Sequence, residues 1–78
     1  MSRDVRVAFG QRIRALRLAR QLSQEQLAER ATLHRNYVGG IERGERNVAL
    51  VNLAKLAAGL EISLAELFAP FTRRGRRP

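Results

Sequence analysis

The stretch from Gln24 to Arg43, QEQLAERATLHRNYVGGIER, constrains the fold more than any other part of the chain. Leu27 and Ala31 fall on one helical face of its first half, Val38 and Ile41 on one face of its second half, with Leu33 in the joint. The pattern predicts two short helices meeting at a corner. Ala28 stands where the two would cross, and only a small side chain lets two backbones approach there. Arg35, Asn36, Gly39, Gly40 and Arg43 lie on the side of the second helix that faces away from its apolar residues. That side has little to bury and much to offer a partner.

The flanking segments predict helices for this pair to pack against. From Val5 to Gln21, Phe9, Ile13 and Leu16 recur at helical spacing among Arg6, Arg12, Arg14, Arg17 and Arg20, leaving Val7 and Leu18 off the stripe. Gly10 weakens this first helix by roughly 1 kcal/mol relative to alanine, too little to end so regular a pattern. Leu22 and Ser23 break it, and Ser23 with Gln26 makes a capping box for the second helix, Gln24 to Ala31. Thr32-Leu33-His34 is the turn, with His34 a poor N-cap for a third helix from Arg35 to Arg43, which Gly44 ends. After the loop Glu45 to Val48, Leu50, Leu53, Leu56, Ala57 and Leu60 mark a fourth helix. Ser63 with Glu66 forms a second capping box, opening a short fifth helix that carries Leu64, Leu67 and Phe68 and stops at Pro70.

Fold class is therefore all-α: one domain over residues 1–69 and a basic tail over 70–78 with a disordered composition. A hydrophobic content of 45% with only 5% aromatics suits a bundle filled by aliphatic side chains. The absence of cysteine excludes a disulfide framework and a thiolate metal site, and one histidine makes no metal site unaided. No apolar run reaches the roughly 18 residues of a membrane span, so a soluble cytoplasmic protein is expected. Nor does any nucleophile, carboxylate pair or phosphate loop suggest an enzyme or a cofactor.

Charge points to the partner. Fifteen basic side chains against seven acidic ones give a net charge of +8, which favours a polyanion, nucleic acid before an anionic membrane. Arg73, Arg74, Arg76 and Arg77 belong to the tail, yet the remaining eleven basic residues still outnumber the acidic ones. The tail is expected to add affinity for DNA without sequence preference.

Residues Phe9 to Phe68 resemble the helix-turn-helix domains of the phage-repressor and Cro-like family, implying a compact lambda-repressor-like fold of five helices with the second and third reading DNA. The run Arg35 to Arg43, followed by Arg46-Asn47 and by Gly59-Leu60-Glu61-Ile62-Ser63, is most similar to the controller proteins of restriction-modification systems. That resemblance implies a homodimeric regulator of transcription on paired operator half-sites in double-stranded DNA. The alternative is an antitoxin-type module that binds a partner protein and represses its own operon.

Site residues follow from this reading. Arg35 can present two donors to guanine and Asn36 can pair with adenine, while Gln24 matches a family position that bonds a phosphate or base edge. Tyr37, Gly39, Arg43, Arg46 and Asn47 suit contacts with the DNA backbone. Arg17 and Glu42 match the family's ion pair between the first and recognition helices, with Arg17 also near the DNA backbone. Leu64, Leu67 and Phe71 are the expected dimer surface. Three positions depart from the family: Thr32 and Glu61 stand where glycine is usual, and Ala49 where a serine or threonine caps the fourth helix. Thr32 is therefore expected either to change the turn or to carry backbone strain.

Overall fold

The computed structural model describes residues 4–71, and the basic residues from Arg73 to Arg77 lie outside them. Five α-helices follow one another: α1 (Val5–Ala19), α2 (Gln24–Ala31), α3 (Arg35–Glu42), α4 (Leu50–Leu60) and α5 (Leu64–Leu67). A 3-10 turn over Ala69–Phe71 completes the described chain, which contains no strand.

The core is drawn from the stripes read from the sequence, except that Leu50, expected to mark the buried face of the fourth helix, is 74% exposed at its start. Phe9 and Ile13 of α1, Leu27, Ala28 and Ala31 of α2, Val38 and Ile41 of α3, Leu56, Ala57 and Leu60 of α4 and Leu67 of α5 form one buried cluster. Helix α2 packs mainly on α4, and α1 mainly on α3, so the helix-turn-helix is braced from both sides. Gly10 makes the second of these contacts possible. A β-carbon at that position would meet the carbonyl oxygen of Ile41 and stand 2.7 Å from that of Glu42. The glycine read as a weakness in α1 is the point where α1 crosses the end of α3.

One device ends each of the four longer helices. Gln21, Thr32, Gly44 and Glu61 take left-handed backbone angles, with φ of 58°, 59°, 78° and 61°. Each is followed by an amide that reaches back five residues: Leu22 to the carbonyl of Arg17, Leu33 to Ala28, Glu45 to Gly40 and Ile62 to Ala57, at 2.8–3.1 Å. These are Schellman terminations, which satisfy carbonyls that a helix end would otherwise leave bare. Apolar Leu22, Leu33 and Ile62 follow three of them and turn inward. The first helix consequently ends at Ala19, short of the expected Gln21, because Gln21 is itself the reversing residue.

Glycine supplies only one of the four left-handed positions. Thr32 takes the left-handed conformation that glycine would supply and bears the strain, since its β-carbon crowds the backbone there by about 1–2 kcal/mol. Thr32→Gly is expected to raise stability by about 1 kcal/mol, the strain relieved less the entropy glycine adds to the unfolded chain. Urea denaturation checks this; a clear loss of stability would show that the threonine sits there without strain.

The N-termini match the sequence less evenly. Ser23 and Gln26 form the full reciprocal box, with Gln26 N donating to Ser23 Oγ at 3.0 Å and Ser23 N to Gln26 Oε1 at 2.8 Å. At α5 only the serine half forms, Glu66 N donating to Ser63 Oγ at 3.0 Å. His34 and Ala49 cap with no side-chain bond. Asp4 caps α1 by accepting from Arg6 N, and the Arg6 guanidinium and amide hold its carboxyl down at about 2. This cap is complete above the ordinary carboxylate range and is lost as pH falls through about 2.

The folded unit also runs past the expected boundary at residue 69. Phe68 stacks on Phe9 with centroids 5.5 Å apart, and Phe71 meets the edge of Phe68 at 5.9 Å. Pro70 ends α5 without ending the fold.

Candidate nucleic-acid interface

The surface is set by how α3 is held. Arg17 of α1 forms a bidentate pair with Glu42 of α3, Nε to Oε2 at 2.6 Å and Nη2 to Oε1 at 3.0 Å. Its Nη1 donates to the Leu22 carbonyl at 2.8 Å, tying in the chain that leads to α2. The two side chains are only 10% and 4% exposed. Buried ions of this kind persist only when their hydrogen bonds are satisfied. The DNA-backbone contact expected of Arg17 is thus corrected: its guanidinium points into the protein and positions α3.

Gln24 joins the same network. Its Nε2 donates to Glu42 Oε1 at 3.0 Å. A carboxylate only accepts hydrogen bonds, so the amide nitrogen must face Glu42 and the carbonyl oxygen must face away from it. The oxygen lies over Gly39, 3.4 Å from where a β-carbon would stand. Gln24 therefore offers an acceptor beside the recognition helix, fixed by the pair that fixes the helix.

The opening of α3 is free on its outer side. Arg35 and Asn36 are exposed, one turn beyond the Schellman corner at Thr32, with Asn36 on the face opposite buried Val38 and Ile41 and Arg35 at its edge. Because His34 makes no side-chain cap, the first amides of α3 retain the positive end of the helix dipole for an anion outside. Tyr37 is half-buried, and its hydroxyl accepts from Asn52 Nδ2 at 3.1 Å, leaving its own proton to donate outward. Asn47 is exposed in the loop after α3.

Three residues behave differently from a free basic surface. Arg43 Nε donates to Glu45 Oε2 at 3.0 Å, and this bond lowers the Glu45 carboxyl and raises the Arg43 guanidinium. Arg46 stands over the Tyr37 ring, 5.5 Å from its centroid. Gly39 is buried beneath Arg43 and Gln24, so a ligand arriving here meets those side chains and not the glycine expected to touch it.

Further contributors were not legible as such. Arg12 donates to the carbonyls of Leu67 at 3.1 Å and Glu66 at 2.6 Å, and Arg20 to that of Leu60. Arg12 of α1 and Arg20 just past its end therefore cap the ends of α5 and α4. Asn52, which steadies Tyr37, was signalled only as a polar residue within the apolar run LVNLAKLAAGL.

The expected dimer surface needs one correction. Leu67 is fully buried in the protomer's own core, at 0% exposure. Leu64 is 40% exposed and Phe71 half-buried, while Leu50 and Val51 at the start of α4 are 74% and 65% exposed. Among the described residues no group of three or more His, Cys, Asp or Glu side chains could hold a metal, and no helix is long and apolar enough to cross a membrane.

Comparison with known proteins agrees with this geometry. Residues 13–67 match the helix-turn-helix family. The control protein C.MunI of a Mycoplasma species is 48% identical over 67 residues, covering 85% of this chain and 90% of its own. C.BamHI of Bacillus amyloliquefaciens, also a control protein, is 43% identical over 68 residues, covering 86% and 84% respectively. The crystal structure of the restriction-modification controller protein C.AhdI from Aeromonas hydrophila superimposes with a TM-score of 0.79 at 60% identity, over 81% of this chain and 96% of that one. With its braced corner, its outward Arg35 and Asn36 and these relatives, the chain belongs to the helix-turn-helix family, close to the control proteins.

Proposed function

We propose that this protein is a cytoplasmic, non-catalytic transcription regulator that binds double-stranded DNA as a homodimer, in the manner of a restriction-modification controller. The observation that carries the reading is the exposed start of α3 on a buried ionic brace. Arg35 and Asn36 project from a helix that Arg17 and Glu42 hold in place, so their reach is set by the fold. One recognition helix reads only a few base pairs, so useful affinity needs two half-sites about one helical turn apart. Leu64 and Phe71, with Leu50 and Val51, are apolar side chains near the C-terminal helices available to a second copy.

Selection of bound DNA from a random pool, followed by footprinting, should return two related half-sites. Within each, Arg35→Ala should relax preference at one base pair and lower affinity by about 1–3 kcal/mol, the discrimination of a bidentate arginine on guanine. Fold and dimer should be unchanged, because Arg35 is exposed. If the variant keeps the relative preferences of the parent across operator variants at one salt concentration, Arg35 does not read the base.

A further inference from the structure

The middle of α3 has an unfilled place on its outer side, and a side chain from elsewhere lies in it. A β-carbon at Gly40 would stand 3.1 Å from Nε of Arg46, 3.2 Å from its Cγ and 3.6 Å from its Cδ. The far end of the same side chain lies over Tyr37, whose hydroxyl is held by Asn52. Positions 37 and 40 are neighbours on one helical face, so Arg46 runs along α3 with its stem on the glycine and its guanidinium on the ring. The loop is returned to this position by Gly44 in its left-handed conformation and by Glu45 N donating to the Gly40 carbonyl at 2.9 Å.

We propose that Gly40 is a positioning residue for Arg46: it is the seat that turns a mobile loop arginine into a fixed cation on the recognition helix. This rests on the DNA-binding reading above. An interior glycine weakens a helix, and no turn or positive φ requires one at position 40. The seat supplies the reason. An arginine free in solution loses rotamer freedom when it grips DNA, whereas one already laid along α3 loses less. The tyrosine face adds cation–π attraction to hold it there. Arg46 thereby serves the outer surface of α3 where the helix itself presents only a hydrogen atom.

Gly40→Ala tests the seat with the smallest possible obstruction. The new methyl meets a flexible side chain, so the fold should survive. Affinity for the selected operator, at fixed salt, should fall roughly threefold to tenfold, the range for one side chain that must be immobilised anew. In an Arg46→Ala background the same substitution should have no further effect. Equal losses with and without Arg46 would overturn the proposal, since the methyl would then be obstructing DNA directly, and so would wild-type affinity in Gly40→Ala. A second readout needs no DNA. The Tyr37 ring current should shift the Arg46 side-chain protons upfield in the NMR spectrum of the free protein, and Gly40→Ala should reduce that shift. Unshifted Arg46 protons in the parent protein would overturn the seat. If the pool returned no operator, the DNA reading would fail while this spectrum still decided the seat.

Discussion

Arg17→Ala should cost on the order of 3–5 kcal/mol, because it leaves the Glu42 carboxylate buried without its charge partner. Native proteins hold only about 5–15 kcal/mol in all, so this one change should bring the domain close to unfolding at physiological temperature. Two further losses add to the stranded charge: the Leu22 carbonyl loses its donor, and the orientation of Gln24 loses its anchor on a fixed carboxylate. Glu42→Ala should be as damaging, since it strands the guanidinium instead. Replacing both by leucine should recover much of the stability, as the two desolvation penalties vanish together. It should not recover operator binding to the same extent, since Gln24 would then be free to turn. Urea denaturation of the two single variants and the double variant provides the comparison. A single-variant loss below about 1 kcal/mol, the range of an exposed pair, would show that the pair is not the brace described.

Gly10→Ala should be the second severe change, costing about 3 kcal/mol by overpacking although alanine is the better helix former. The added carbon meets backbone carbonyls of α3, the Glu42 oxygen at 2.7 Å and its carbonyl carbon at 2.9 Å, and no rotamer can move those aside. Helix α1 must therefore back away from α3, which also stretches the Arg17–Glu42 pair two turns along the same helix. The losses at these two sites should consequently be non-additive. A Gly10→Ala variant as stable as the parent would mean that α1 and α3 separate at little cost.

The elements that could be read from the sequence are those whose signals are local. The box at Ser23, the serine cap at Ser63 and the stripes through Ile13, Leu27, Ile41 and Leu56 lie within a few residues of the structure they specify. The Arg17–Glu42 pair came from family resemblance, and the geometry bears it out. The contacts that escaped are remote in sequence. Arg12 reaches a carbonyl 55 residues away and Arg20 one 40 residues away, and nothing near either arginine distinguishes a helix cap from a solvated charge. Gly10 looked like a defect because propensity measures a helix alone, while its value lies in the helix that crosses it. Leu67 was placed on the outside because α5 is only four residues long, too short for periodicity to say which of its leucines faces inward.

The separation between the brace and the reading surface proposed at Arg35 and Asn36 bears on how such a regulator can diverge. Arg35 and Asn36 are exposed at the edge of the fold, whereas the groups that hold α3 are buried elsewhere. Substitutions at these two positions are nearly free of stability cost, since exposed sites away from special features usually change it by less than about 0.5 kcal/mol. Gene copies could therefore drift to new operators one base pair at a time, each intermediate remaining folded, and acquire mutually insulated target sites on an unchanged scaffold.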